Sequence, residues 1–261
     1  MKNTLKIETF KLVHRLEFKL ISLLLLLSLV LPIALMLTPN TYRIDYAFGD
    51  KIPMSAYMCI GYAFWGTLGI FYLLFSILTV SLTGSEYDGH YFYLYFPRIS
   101  DRRKIYLAKF ITISAFATIW YVAYTLIFNP VGYQILHLVR PDIASGNAFD
   151  FSTVYWIRQW LQYYVELILF ISISMALASR VKPLAAIAGV MGIYFGSMFF
   201  FDIPGLKIII PQHYKELAMN CKTADSFLVM RQYIFVYLIL SLIYIFVLNM
   251  YGMKKLQKME A

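Results

Sequence analysis

Apolar residues fall into six long runs, at residues 20–37, 56–82, 106–128, 156–179, 184–201 and 232–251, with polar segments between them. Each run comes close to or exceeds the roughly 20 residues that a helix needs to cross the hydrocarbon core of a bilayer, so the pattern predicts a six-helix bundle over residues 20–251. Ahead of the first run, Leu5, Leu12, Val13 and Leu16 recur at spacings that share one helical face, while Lys11, Arg15 and Lys19 lie four apart on the neighbouring face. Residues 1–19 are therefore expected to form a basic amphipathic helix in the headgroup layer, with a frayed basic tail as the plainer alternative. The longest polar interruption on the basic side covers residues 83–105. Within it, residues 86–96 have the length of a short helix, set Glu86, Asp88 and His90 against Tyr91, Phe92 and Tyr95, and end at Pro97. An aromatic surface beside acid, in a loop too short to be a domain, predicts a docking element.

Composition sharpens the class. The chain of 261 residues is 61% hydrophobic and 14% charged, against about a half and a quarter in soluble domains, so a water-soluble core of this composition is implausible. The expected fold is an all-α membrane protein with a single transmembrane domain over residues 1–261. No cleavable signal peptide is expected, because the first apolar run follows a long basic segment and ends without a small-residue cleavage site. The net charge of +9 is a matter of membrane sidedness rather than of nucleic acid. With the amino end inside, 15 of the 23 basic residues fall in segments on the inner side, including Lys254, Lys255 and Lys258 of the tail at residues 252–261. The positive-inside rule then places both termini in the cytoplasm of a cell with a multi-pass protein in its membrane.

Candidate chemistry is sparse. The chain has no Gly-x-x-x-x-Gly-Lys-Ser/Thr phosphate loop, its four histidines lie in four separate segments, and no serine nucleophile or zinc-protease motif occurs. The expectation is that this chain has no catalytic residue, no metal and no cofactor of its own. Glu166 stands near the middle of the fourth run, where a carboxyl costs a few kcal/mol unless it meets a polar cavity or a partner. With Gln162 and Tyr163 it is a candidate for a substrate pathway or a subunit interface; a structural hydrogen bond to a tyrosine is the alternative. Gly192 and Gly196, four apart in the fifth run, would let another helix approach closely. The segment at residues 203–211 is apolar, bracketed by prolines and too short to span, and reads equally as a re-entrant dip or as a surface loop.

The order Glu86, Gly89, Leu94, Pro97, Ser100, Arg102 and Lys109 resembles the loop between the second and third membrane helices of ABC-2 type transporter permeases. In that family an acidic residue and a glycine three positions on lie in a coupling helix, followed by a leucine, a proline, a serine-arginine pair and a lysine entering the next helix. The chain departs from the pattern at His90, where the family often has threonine, and at Asp101, which separates Ser100 from Arg102. The resemblance implies that Glu86, Gly89, Tyr91, Phe92, Tyr95, Pro97 and Arg102 meet a cytoplasmic ATPase. It also implies two ATPase copies that bind ATP and Mg, and a second permease, identical or homologous.

The function expected on these grounds is the permease subunit of an ATP-driven exporter. Aromatic spans and compact outer loops favour an amphipathic peptide as cargo, such as a toxin or antimicrobial peptide of the phenol-soluble-modulin kind; lipid-linked glycans, drugs and ions are the alternatives. Besides the membrane lipids no further partner is expected, and no nucleic acid. A stand-alone secondary transporter or another polytopic membrane protein, an intramembrane enzyme among them, is the competing class.

Overall fold

A computed structural model describes residues 2–37, 51–88, 102–149, 152–200, 203–221 and 227–258. Helices account for nearly all of them, and among the described residues the sole β-type pairing is a single bridge between Ile52 and Ala144. Eleven α-helices are named in chain order. They are α1 (Lys2–Val13), α2 (Leu16–Leu23), α3 (Val30–Met36), α4 (Met54–Thr67), α5 (Ile70–Asp88) and α6 (Arg102–Ala123), followed by α7 (Asn129–Val139), α8 (Ser152–Ala178), α9 (Pro183–Phe200), α10 (Pro211–Asn220) and α11 (Phe227–Lys258). A 3-10 stretch at Leu24–Leu29 joins α2 to α3, and a π-helical turn at Tyr124–Phe128 joins α6 to α7.

Five helical stretches are long and apolar enough to cross a membrane: Leu16–Met36, Arg103–Val139, Thr153–Ala178, Pro183–Phe200 and Phe227–Lys254. This is a helical membrane protein by length and composition. The apolar run at residues 56–82, expected as one span, is not one helix. It breaks between α4 and α5 at Gly69, whose φ of 65° is open to glycine at little cost and whose N–H turns back to the Gly66 carbonyl. The π turn has a local cause as well. Pro130 has no N–H to give, and the Asn129 N–H just before it reaches the Tyr124 carbonyl five residues back.

The chain forms two compact units. The first comprises Met1–Phe18, Phe71–Ala117 and Val165–Ala261, the second Lys19–Ile70 and Thr118–Tyr164. In the second unit Leu35, Ile52, Ala56, Tyr57, Tyr133, Leu136 and Ala144 make a core around the Ile52 bridge. The Tyr133 hydroxyl donates to the Ile52 carbonyl at 2.9 Å and accepts from the Gly146 N–H at 3.1 Å. In the first unit Tyr72, Phe170 and Tyr194 stack, tilt or meet edge-on at centroid distances of 5.0–5.5 Å, and Tyr106 packs on Met175. Gly252 lies so close to the Tyr106 ring that a methyl group there would collide with it.

Helix α1 forms where the amphipathic helix is expected, and the face it turns toward the protein sets an acid beside a leucine. Leu12 and Glu8 are buried and Leu5 half-buried, whereas Val13 and Leu16 are exposed along with Ile7 and Phe10. The reason is an acid at the centre of the inner face that finds a cation inside the protein.

Candidate functional site

Helix α8 presents Glu166, Leu169, Phe170, Ile173, Ala176 and Leu177 along one face, at the three- and four-residue steps of a helical stripe, and Arg180 follows in the turn just past its end. A carboxylate on so apolar a stripe needs partners, and two converge on one of its oxygens. Lys215 donates from Nζ to Glu166 Oε2 at 2.6 Å, and the Tyr72 hydroxyl donates to the same oxygen at 2.7 Å. Both side chains of the ion pair are 5% exposed. Lys215 reaches inward because α10 starts at Pro211, which needs no N–H at that position, and buries Gln212, Lys215 and Ala218, three residues apart, on one face. Charge-assisted hydrogen bonds of this kind offset the cost of desolvation only while both partners stay in place.

The pair closes one end of a cavity of about 470 Å3 inside the first unit. Its walls are the α8 stripe, Ile193 and Ser197 of α9, residues 209–212, and Tyr237, Tyr244, Leu248 and Tyr251 of α11. The volume is that of a site for an apolar organic group, and the walls are overwhelmingly hydrocarbon and aromatic. At the other end the Arg180 guanidinium lies 3.4 Å from the centroid of the Tyr251 ring. Among the described residues no group of three or more His, Cys, Asp and Glu could hold a metal ion.

A second polar cluster lies at Lys109, also in the first unit. Lys109 is 1% exposed and donates from Nζ to Glu8 Oε2 at 2.8 Å and to the Leu82 carbonyl at 3.2 Å. Lys11 pairs with the other Glu8 oxygen at 3.1 Å. One turn away Arg15 donates to the Ser81 hydroxyl at 2.8 Å, and Ser81 donates to Glu17. Helix α1 and its continuation are thus tied to the last turns of α5 and the first turns of α6, the two helices that flank residues 89–101.

The expected site residues separate on this structure. Glu166 lines the cavity. Gln162 and Tyr163 do not; they belong to the second unit, where Tyr163 stacks on Tyr62 at 6.1 Å and packs on Gly66. Gly192 faces open space and Gly196 has only the Phe200 side chain of its own helix nearby, so neither packs against a described helix of this chain. Glu86 is in the last turn-and-a-half of α5 and Arg102 opens α6, but their side chains, like all of Gly89, Tyr91, Phe92, Tyr95 and Pro97, lie outside the described residues.

Three residues of these clusters carry no signal in the apolar pattern: Glu8, Tyr72 and Lys215. Lys215 reads as one more charge of a loop outside the spans, and the clue to its burial is the Gln212, Lys215, Ala218 spacing behind a helix-starting proline. Comparison with known proteins leaves the geometry to speak alone: no family model, no curated protein and no solved structure matches this chain.

Proposed function

We propose that this protein is the membrane-spanning permease subunit of an ATP-driven exporter of the ABC-2 type, partnered by a separate cytoplasmic ATPase and by a second permease. The observation that carries this reading is the Lys109 junction. A force applied to residues 86–102 would reach α5, α6 and α1 together, because the buried Glu8–Lys109 pair and the Leu82 carbonyl join all three. The motif from Glu86 to Lys109 and the helical membrane architecture support the same reading. In this mechanism ATP hydrolysis on the partner shifts the permease between two states, and an amphipathic peptide is the favoured cargo. Affinity purification of the tagged full chain from its own cells tests it: an ATPase recovered in near-equal amount is expected, and its reproducible absence would refute the proposal.

A second reading has an observation of its own. The helix break at Gly69 and the buried Glu166–Lys215 pair are features that stand-alone secondary transporters use for coupling ions. Uptake or efflux by the purified chain alone in vesicles, driven by a proton or sodium gradient without ATP, would favour it over the exporter.

A further inference from the structure

The cavity has a length and a polarity that the exporter reading leaves unused. One wall runs along α8 from Glu166 to Arg180 just past its end, and another along α11 from Tyr237 to Tyr251, fourteen residue steps each, or about 21 Å at a helical rise. The Arg180–Tyr251 contact shows that the two walls end together. A volume of about 470 Å3 along that length leaves room for a slender apolar group. The depth of one leaflet is about 15 Å, half of the hydrocarbon core, so a lipid tail fits within the channel. Ile193, Ile209 and Tyr251 are exposed at its rim, and a chain could enter between apolar side chains.

The two ends differ in charge. At the Glu166 end the carboxylate is already met by Lys215 and Tyr72. At the Arg180 end the guanidinium is exposed and pairs with no carboxylate among the described residues; Lys182 and Lys254 are exposed within a turn of Arg180 and Tyr251 respectively. No Asp or Glu occurs in residues 167–200 or 227–258. The stack on Tyr251 holds the guanidinium plane at the mouth while leaving its N–H groups to a ligand.

We propose that this cavity binds one acyl chain of an anionic phospholipid, with its phosphate on Arg180 and the terminal methyl toward Leu169, Phe170 and Tyr237. The site is independent of ATP coupling and of the cargo. It makes the protein responsive to the anionic lipid content of its membrane, because occupancy fills a void between α8, α9 and α11 that would otherwise stay open.

The test uses the full chain in phosphatidylcholine vesicles doped with a lipid carrying a photoactivatable diazirine on one acyl chain, with labelled peptides mapped by mass spectrometry. Phosphatidylglycerol is expected to label residues 169–177 and 237–248 selectively, and Arg180→Gln to lower that labelling about tenfold, to the level of labelled phosphatidylcholine. Arg180→Lys should retain part of it. Ile173→Trp, which leaves Arg180 intact and fills the channel, should lower it as well. Equal labelling by phosphatidylcholine and phosphatidylglycerol, labelling spread evenly over all membrane helices, or undiminished labelling of either Arg180→Gln or Ile173→Trp would overturn the proposal. Stronger labelling by a diazirine fatty acid than by phosphatidylglycerol would overturn it too, since the carboxylate and not the phospholipid would then be the occupant.

Discussion

Among the described residues the two compact units differ in where they keep their ion pairs. The first buries whole ion pairs, Glu8 with Lys109 and Glu166 with Lys215, each side chain no more than 5% exposed. The second is tied by neutral hydroxyls on backbone carbonyls, Tyr133 on Ile52 and Tyr121 on Trp160, and its described ion pair, Arg140 with Asp142, sits at the surface. A hydroxyl on a carbonyl contributes about 1 kcal/mol and fails gently. A buried ion pair is close to neutral when intact and costly when either partner is lost. The first unit is therefore built of elements that either hold or let go, and it contains both the cavity and the Lys109 junction. The second is built to stay.

This contrast can be broken most severely at Lys109. Lys109→Met leaves the buried Glu8 with the half-buried Lys11 as its described partner, and thermal denaturation of the solubilised chain should show a loss of about 3 kcal/mol; the double variant Glu8→Leu, Lys109→Met should recover most of it. A double variant as unstable as the single would mean that Lys109 is needed for something other than the pair. At the cavity, Tyr72→Phe removes one of the two donors to Glu166 and should cost about 1.5–3 kcal/mol by the same measurement. In the second unit, Tyr133→Phe gives up bonds to the Ile52 carbonyl and the Gly146 N–H and should cost about 1–2 kcal/mol, with the Ile52 carbonyl still served by the Ser145 N–H.

The smallest effect belongs to the exposed pair. Hydrogen bonding from Arg140 holds the Asp142 carboxyl below its ordinary range. Folding thus favours the ionised form, so any contribution is present above the ordinary carboxylate pKa and is lost as pH falls through the depressed one. Solvent screens the pair, and Asp142→Asn should leave the melting temperature unchanged at neutral pH. A clear drop would place a switching element in the unit described as static.

The membrane class, the helical content and five of the six apolar runs were legible because they rest on composition and run length, which a bilayer reads directly. The run at residues 56–82 was not: hydropathy is blind to Gly69, where one residue at positive φ ends a helix inside an apolar stretch. Glu166 stood out because a lone carboxylate in a span is costly. Its partner did not, since Lys215 lies 49 positions away and only the fold brings them together. The amino-terminal helix was legible as a helix, whereas its orientation depended on Glu8 meeting Lys109 101 positions on, and local periodicity cannot encode such a pairing. Gly192 and Gly196 stood out as a close-packing pair, yet the glycines that other side chains approach most closely are Gly66 and Gly252, each opposite a tyrosine ring from a distant segment.

The central claim is that residues 86–102 dock an ATPase and that the first unit receives the force. The most direct measurement is copurification and export with Tyr91→Ala, Phe92→Ala in the full chain. Aromatic anchors dominate protein contacts, so the account predicts normal insertion, a marked loss of ATPase from the purified complex and no export. Normal recovery of the ATPase with unimpaired export would contradict it.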